Sequence, residues 1–193
     1  SIYRKVLEYA KFIINVDSLK DHPDGNTDAT GFLVDVSLLF EAYVTKLLKK
    51  EFPDWIVESR EEETYGNMFF KRKIIPDIVM MKDKDVMVFD TKYKKMLFRG
   101  RNRDGPGDVD RSDFFQINTY MSYYKNHPDK YNVKAGGLLY PFEENASEDK
   151  CHSQDWFGES NTKFIVDGIG NLSEENPNFP VIEERFVERI RNL

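Results

Sequence analysis

Asp90 and Lys92 stand two apart near the end of the segment DVMVFDTKY, residues 85–93. In an extended strand a period of two puts Val86, Val88, Asp90 and Lys92 on one face and Met87, Phe89, Thr91 and Tyr93 on the other. An acid and a base therefore emerge together where an apolar strand face runs out. Upstream, residues 77–81 are also β-prone, and Asp83 and Lys84 make a natural hairpin tip. In the register this turn favours, Asp77 lies opposite Asp90; a longer turn would shift the pairing by a residue or two. Directly opposed carboxylates repel unless a cation lies between them. Glu41 is a third acid, and its helical neighbours are Leu38, Val44, Leu48 and Phe52, so it interrupts an apolar stripe. An inward carboxylate is costly unless paired or bound to a metal.

Together these residues suit metal-assisted hydrolysis of a phosphodiester. Mg²⁺ prefers hard oxygen ligands, keeps several waters, and can bridge carboxylates and phosphate while activating water. Lys92 would then stabilise phosphate or hydroxide electrostatically. Taken singly, each residue has a plainer reading. Asp90 and Lys92 could be an exposed strand pair, Asp77 a turn residue after Pro76, and Glu41 a core acid satisfied by a base such as Arg72.

Several elements must position these side chains. Helical spacing of apolar residues predicts a helix over 1–16, followed by a polar loop over 17–30, and a stronger amphipathic helix over 35–52 that stops before Pro53. Short β-prone runs follow at 55–59, 68–73, 77–81 and 85–93. Residues 97–110 carry three glycines, a proline and three arginines and read as a loop. A helix is expected over about 112–124, a buried strand over 135–140, an acidic loop over 143–160, a last strand over 163–167 and a terminal helix over 181–190 after Pro180. This order predicts an α/β fold with a central mixed β-sheet flanked by α-helices.

The chain of 193 residues has room for one ordinary core, and 40% hydrophobic residues are enough to form it. It reads as one domain over 1–193 with a core at about 30–141, a piece of a longer protein and its C-terminal part. The single Cys151 excludes an internal disulfide, and no Cys/His spacing suits zinc, which points to a reducing compartment, the cytoplasm. No apolar run is long enough to span a membrane. The net charge of -6 hides an asymmetry: residues 71–103 carry 11 basic and 4 acidic residues, whereas 143–193 carry 5 basic and 12 acidic ones. The middle segment is thus the candidate phosphate-facing region, and Lys94, Lys95, Arg99, Arg101 and Arg103 are candidate DNA contacts of the salt-dependent, sequence-independent kind.

Glu41 on a helix, Pro76-Asp77 opening a strand and Asp90-Thr91-Lys92 closing the next resemble the PD-(D/E)XK motif of the restriction-endonuclease superfamily. Gln116 and Tyr120, on one helix face at i, i+4 spacing, resemble the Gln-x-x-x-Tyr element of RecB-type nucleases. More closely, residues 38–44 (LLFEAYV), 76–79, 89–93, 113–116 and 138–141 are similar to the nuclease half of McrC proteins, over roughly residues 1–141. The resemblance implies a restriction-endonuclease-like fold, with Glu41, Asp77, Asp90 and Thr91 as metal ligands for Mg²⁺ or substituting Mn²⁺. It also implies Lys92 as a catalytic residue beside the three acids, and Gln116 and Tyr120 as residues orienting the site. It further implies double-stranded DNA as substrate and an McrB-like GTPase motor as partner. Two other readings stay open on sequence: a non-catalytic nuclease-like module that binds DNA or scaffolds an assembly, and a RecB-like exonuclease or repair nuclease that needs a DNA end.

Overall fold

The computed structural model describes residues 35–59, 63–64, 73–94, 109–142, 151–170 and 179–193. Its elements in chain order are α1 (Val36–Glu51), β1 (Ile56–Ser59), β2 (Glu63–Thr64), β3 (Lys73–Ile74), β4 (Ile78–Lys82), β5 (Asp85–Thr91), α2 (Arg111–Lys125), β6 (Asn132–Phe142), β7 (His152–Trp156), β8 (Glu159–Gly170) and α3 (Phe179–Arg191). Six strands form one mixed sheet in the order β1-β4-β5-β6-β8-β7, and β2 and β3 pair separately. Strands β5, β6 and β8 run parallel, with α2 as the crossover between β5 and β6; β1, β4 and β7 are antiparallel to their neighbours. The expected α/β architecture, a mixed sheet flanked by helices, is the one observed.

The alternation along β5 divides the core. Met87 and Phe89 face one layer, with Phe40, Val44, Leu47 and Leu48 of α1 and Phe186, Val187 and Ile190 of α3. Val86 and Val88 face the other, with Ile117, Tyr120, Met121 and Tyr124 of α2. Because β5 is central it is buried on both faces, as parallel strands covered by helices are. The β4–β5 hairpin has the expected register, from Ile78 opposite Phe89 to Lys82 opposite Asp85, and Asp83 at its tip takes a positive φ of 55° that Asp tolerates better than most residues. Helix α1 begins at the N-cap Asp35, whose carboxylate accepts from the Ser37 N–H at 2.9 Å, and its last turn carries Lys49 and Lys50 at the negative end of the helix dipole.

Strand β6 is longer than its apolar run and includes Pro141, an unusual residue for a central strand. Leu139 turns its peptide group toward β5, accepting from Lys92 N–H at 2.8 Å. The next donor on that side would be Pro141, which has no N–H, so the ladder to β5 ends there while pairing to β8 continues to Phe142 opposite Gly170.

The C-terminal part departs from the expected acidic loop over 143–160. Residues His152–Trp156 form the edge strand β7, and β8 starts at Glu159 and runs past the expected end at 167. An edge strand pairs on one side only and can be polar throughout, so HSQDW carries no alternating apolar signal. The connecting turn is Phe157-Gly158, both at positive φ (48° and 82°), a two-residue hairpin whose Phe is an uncommon choice. Pro180 lies inside the first turn of α3 rather than before it, where its missing N–H costs nothing. Against the sheet, Arg189 of α3 clasps the buried Asp167 of β8, with Nε and Nη2 each donating to its carboxylate at 2.9 Å. The expected helix over 1–16, the loop over 17–30 and most of the strand over 68–73 lie outside the described residues. No helix among the described residues is long and apolar enough to cross a membrane.

Candidate active site

Strand β5 delivers Asp90 to its C-terminal end on the α2 side, directly beside Leu138 of β6, where the carboxyl is only 1% exposed. Burial pushes its pKa up to about 6, the neighbouring charge of Asp77 adds to that rise, and contact with Lys92 opposes it. Lys92 Nζ lies 2.5 Å from Asp90 Oδ2, in the geometry of an ion pair rather than an aligned hydrogen bond. For Lys92 itself burial works against the charged form. Its contact with Asp90, and the charges of Asp113 and Asp77, outweigh that and raise its pKa.

Asp77 precedes the first paired residue of β4 and is aimed by Thr91. The Thr91 N–H and hydroxyl both donate to Asp77 Oδ2, at 2.8 and 2.9 Å. Thr91, expected among the metal ligands, thus holds Asp77 through its N–H and its hydroxyl. Asp77 Oδ1 accepts no hydrogen bond among the described residues.

Helix α2 supplies the other wall. Lys92 Nζ donates to Gln116 Oε1 at 3.0 Å, Gln116 Nε2 donates to the Tyr120 hydroxyl at 2.7 Å, and that hydroxyl donates to the Ile75 carbonyl at 3.2 Å. Since Ile75 leads through Pro76 into Asp77, this chain of hydrogen bonds joins the lysine just past β5 to the segment that carries the other aspartate. The i, i+4 spacing on one helix turn makes the Gln116–Tyr120 link possible. Asp113, one turn before Gln116 on the same face, is buried at 6% exposure and belongs to the same cluster, with Oδ1 3.6 Å from Lys92 Nζ. Nothing in its residue type or immediate neighbours marks it as a site residue in the sequence. Its i, i+3 relation to Gln116 was the available signal.

Glu41 is buried on α1 at 7% exposure, as its position on the apolar stripe requires. Yet α1 packs on the Met87 and Phe89 face, whereas Asp90 continues the face of Val86 and Val88. Among the described residues no set of three or more His, Cys, Asp or Glu is drawn close enough to hold a metal ion. Among the described residues the expected set of Glu41, Asp77 and Asp90 is thus not gathered, and Asp77 and Asp113 are the acids whose charges act on Asp90.

Of the candidate DNA contacts, Lys94 is described, exposed, and paired with acids of α2. It pairs with Asp113 Oδ2 and lies 3.5 Å from Asp110 Oδ2. Asp110 is the N-cap of α2, held by the Ser112 N–H and hydroxyl, which pull its pKa down to about 2. Lys95, Arg99, Arg101 and Arg103 lie outside the described residues.

The fold matches a chain of the refined half-complex from the tetradecameric assembly of Thermococcus gammatolerans McrB AAA+ hexamers with bound McrC. The TM-score is 0.54 at 15% identity over 84% of this chain. This chain spans about a third of the matched one, 34% of its length. No curated protein matches the sequence. The family model of the McrBC 5-methylcytosine restriction system component matches residues 1–141. The chain, which carries the Asp77, Asp90 and Lys92 cluster within that span, belongs to this McrBC component family.

Proposed function

We propose that the chain is the catalytic part of an McrBC-type restriction system, a metal-dependent endonuclease that hydrolyses phosphodiester bonds of double-stranded DNA. It would act in the cytoplasm with an McrB-like GTPase motor, as the McrC of the Thermococcus assembly is bound to McrB hexamers. The observation that carries this reading is the end of β5, where a buried Asp90 meets the charge of Asp77 and the ammonium of Lys92.

The donor set fits Mg²⁺, with Mn²⁺ as substitute. A buried carboxylate whose charged form is disfavoured, beside a second carboxylate whose Oδ1 accepts no hydrogen bond among the described residues, gains from a hard cation. One or two carboxylates suffice for an ion that keeps several waters and takes phosphate oxygens. Asp77 and Asp90 would hold it, and when bound it supplies an activated water and neutralises developing charge. Thr91 fixes the Asp77 carboxylate. Lys92, steadied by Gln116, places a positive charge where phosphate charge develops, without having to accept a proton. Glu41, buried on α1, is the third acid the family resemblance offers to the metal.

The test is cleavage of supercoiled plasmid in Mg²⁺ or Mn²⁺, with an McrB-like partner and GTP, comparing wild type with Asp90→Ala and Lys92→Ala. Metal-dependent nicking or linearisation of the closed circle, abolished by both substitutions, is the expected result. It also separates endonuclease from exonuclease, since a closed circle has no end. A wild-type protein that neither cleaves nor binds Mn²⁺ would return the non-catalytic module as the better reading.

A further inference from the structure

Lys92 and Lys94 leave β5 two residues apart and converge on one carboxylate. Asp113 Oδ1 is 3.6 Å from Lys92 Nζ, and Oδ2 contacts Lys94 Nζ. Asp113 is buried, and it faces those two ammonium groups from the first turn of α2, where the helix dipole favours an anion. Lys92 stands closer to Asp90, at 2.5 Å, and is shared between two buried acids. Lys94, half-exposed, is shared between Asp113 and the N-cap Asp110. The order Asp90, Lys92, Asp113, Lys94, Asp110 alternates in sign from the buried end of β5 to the rim of α2. In such a row, neutralising one member changes the pull on its neighbours.

We infer that Asp113 and Lys94 are a positioning pair that sets how far the Lys92 ammonium leans onto Asp90: Asp113 draws Lys92 toward α2, and Lys94 limits that pull. Neither residue touches the reacting atoms. The inference rests on the nuclease reading of the site and assigns Lys94 a task other than holding DNA phosphate. With Asp113 neutral, Lys92 falls back on Asp90 and competes with a divalent cation for the same carboxylate. With Lys94 neutral, Asp113 draws Lys92 away and leaves Asp90 more open to that cation. The two substitutions therefore act on metal binding in opposite directions, while both misplace Lys92 for turnover.

The test is Mn²⁺ binding to the full chain without DNA, by calorimetry, for wild type, Asp113→Asn and Lys94→Gln, with melting temperatures to confirm folding. Groups that orient a metal site change its affinity by about 10- to 100-fold. Weakening of about tenfold is expected for Asp113→Asn, and tightening for Lys94→Gln, with kcat lowered and KM for DNA unchanged in both. Loss of affinity in both variants, or no change in either, overturns the pair. A raised KM and a shallower salt dependence for Lys94→Gln, with Mn²⁺ affinity unchanged, would return Lys94 to the DNA surface. Should Asp113→Asn fail to fold, Lys94→Gln decides alone: tighter Mn²⁺ binding supports the pair, and equal or weaker binding rejects it. A wild-type chain that neither binds Mn²⁺ nor cleaves DNA removes the nuclease reading and this inference with it. Normal wild-type behaviour with unaltered variants removes only the inference.

Discussion

Thr91 holds Asp77 from two atoms at once, its backbone N–H at 2.8 Å and its hydroxyl at 2.9 Å from the same carboxylate oxygen. The backbone donor is fixed by the strand, so only the hydroxyl is open to mutation. Thr91→Val keeps the β-branched shape and removes that one bond. It should cost about 1 kcal/mol of stability and weaken Mn²⁺ binding by about tenfold. Chemical denaturation and calorimetry read the two effects; an unchanged Mn²⁺ affinity would show that Asp77 needs no aiming.

The raised pKa of Asp90 has a signed consequence for stability in the absence of divalent ions. Its folded value of about 6 lies above the ordinary carboxylate value of 3.8, so the folded state binds the proton more tightly than the unfolded state. The stability this contributes is complete below the unfolded value and is lost as pH rises through about 6. At about 1.4 kcal/mol per pKa unit, the loss is on the order of 3 kcal/mol. Asp90→Asn lacks this dependence. Urea unfolding of both proteins from pH 4 to pH 8 should show the variant gaining on wild type across that window, and a constant difference would mean that Asp90 is unshifted.

Tyr120 joins Gln116 to the Ile75 carbonyl, and through Gln116 it reaches Lys92. Tyr120→Phe removes the hydroxyl and frees the Gln116 amide to turn. It should lower kcat severalfold at unchanged KM for DNA and destabilise the fold by about 1 to 2 kcal/mol, the worth of the lost hydrogen bonds. Plasmid cleavage kinetics decide the matter. An effect on KM alone would place Tyr120 at the DNA rather than behind the lysine.

Two adjacent glycines in β6 should respond unequally to alanine. A Cβ on Gly137 would meet the Ile165 carbonyl oxygen of β8 at 2.1 Å, and a strand backbone held by pairing on both sides has little room to give. A Cβ on Gly136 would meet Met121 Cγ and Sδ at 2.5 and 2.6 Å, atoms of a flexible side chain that can swing aside. Gly136→Ala is expected to cost about 1–3 kcal/mol, and Gly137→Ala to prevent formation of the native sheet, as followed by circular dichroism and soluble yield. Equal tolerance of both would contradict the close approach of β6 and β8.

What could be read from the chain alone was the geometry internal to one element or one tight turn. The period of two in 85–93 set Asp90 and Lys92 on one strand face, the helical wheel buried Glu41, and the i, i+4 spacing joined Gln116 to Tyr120. The short hairpin tip at Asp83 and Lys84 set the register that brings Asp77 to Asp90. These follow from backbone repeat distances that hold wherever the element sits.

The packing of one element against another was decided only in the tertiary structure. Lys94 reads as part of a basic run in the sequence, and its partners Asp110 and Asp113 come from a helix whose placement no local pattern reveals. Glu41 was correctly inward, yet α1 packs on the layer of Met87 and Phe89, and among the described residues no three-acid set is gathered. Strand β7 was hidden because an edge strand exchanges hydrogen bonds with one neighbour and needs no apolar alternation, so its existence depends on β8 being there to pair with. Contacts between residues distant in sequence depend on how layers stack and cross, and a one-dimensional pattern carries the faces of each element but not the angles at which they meet.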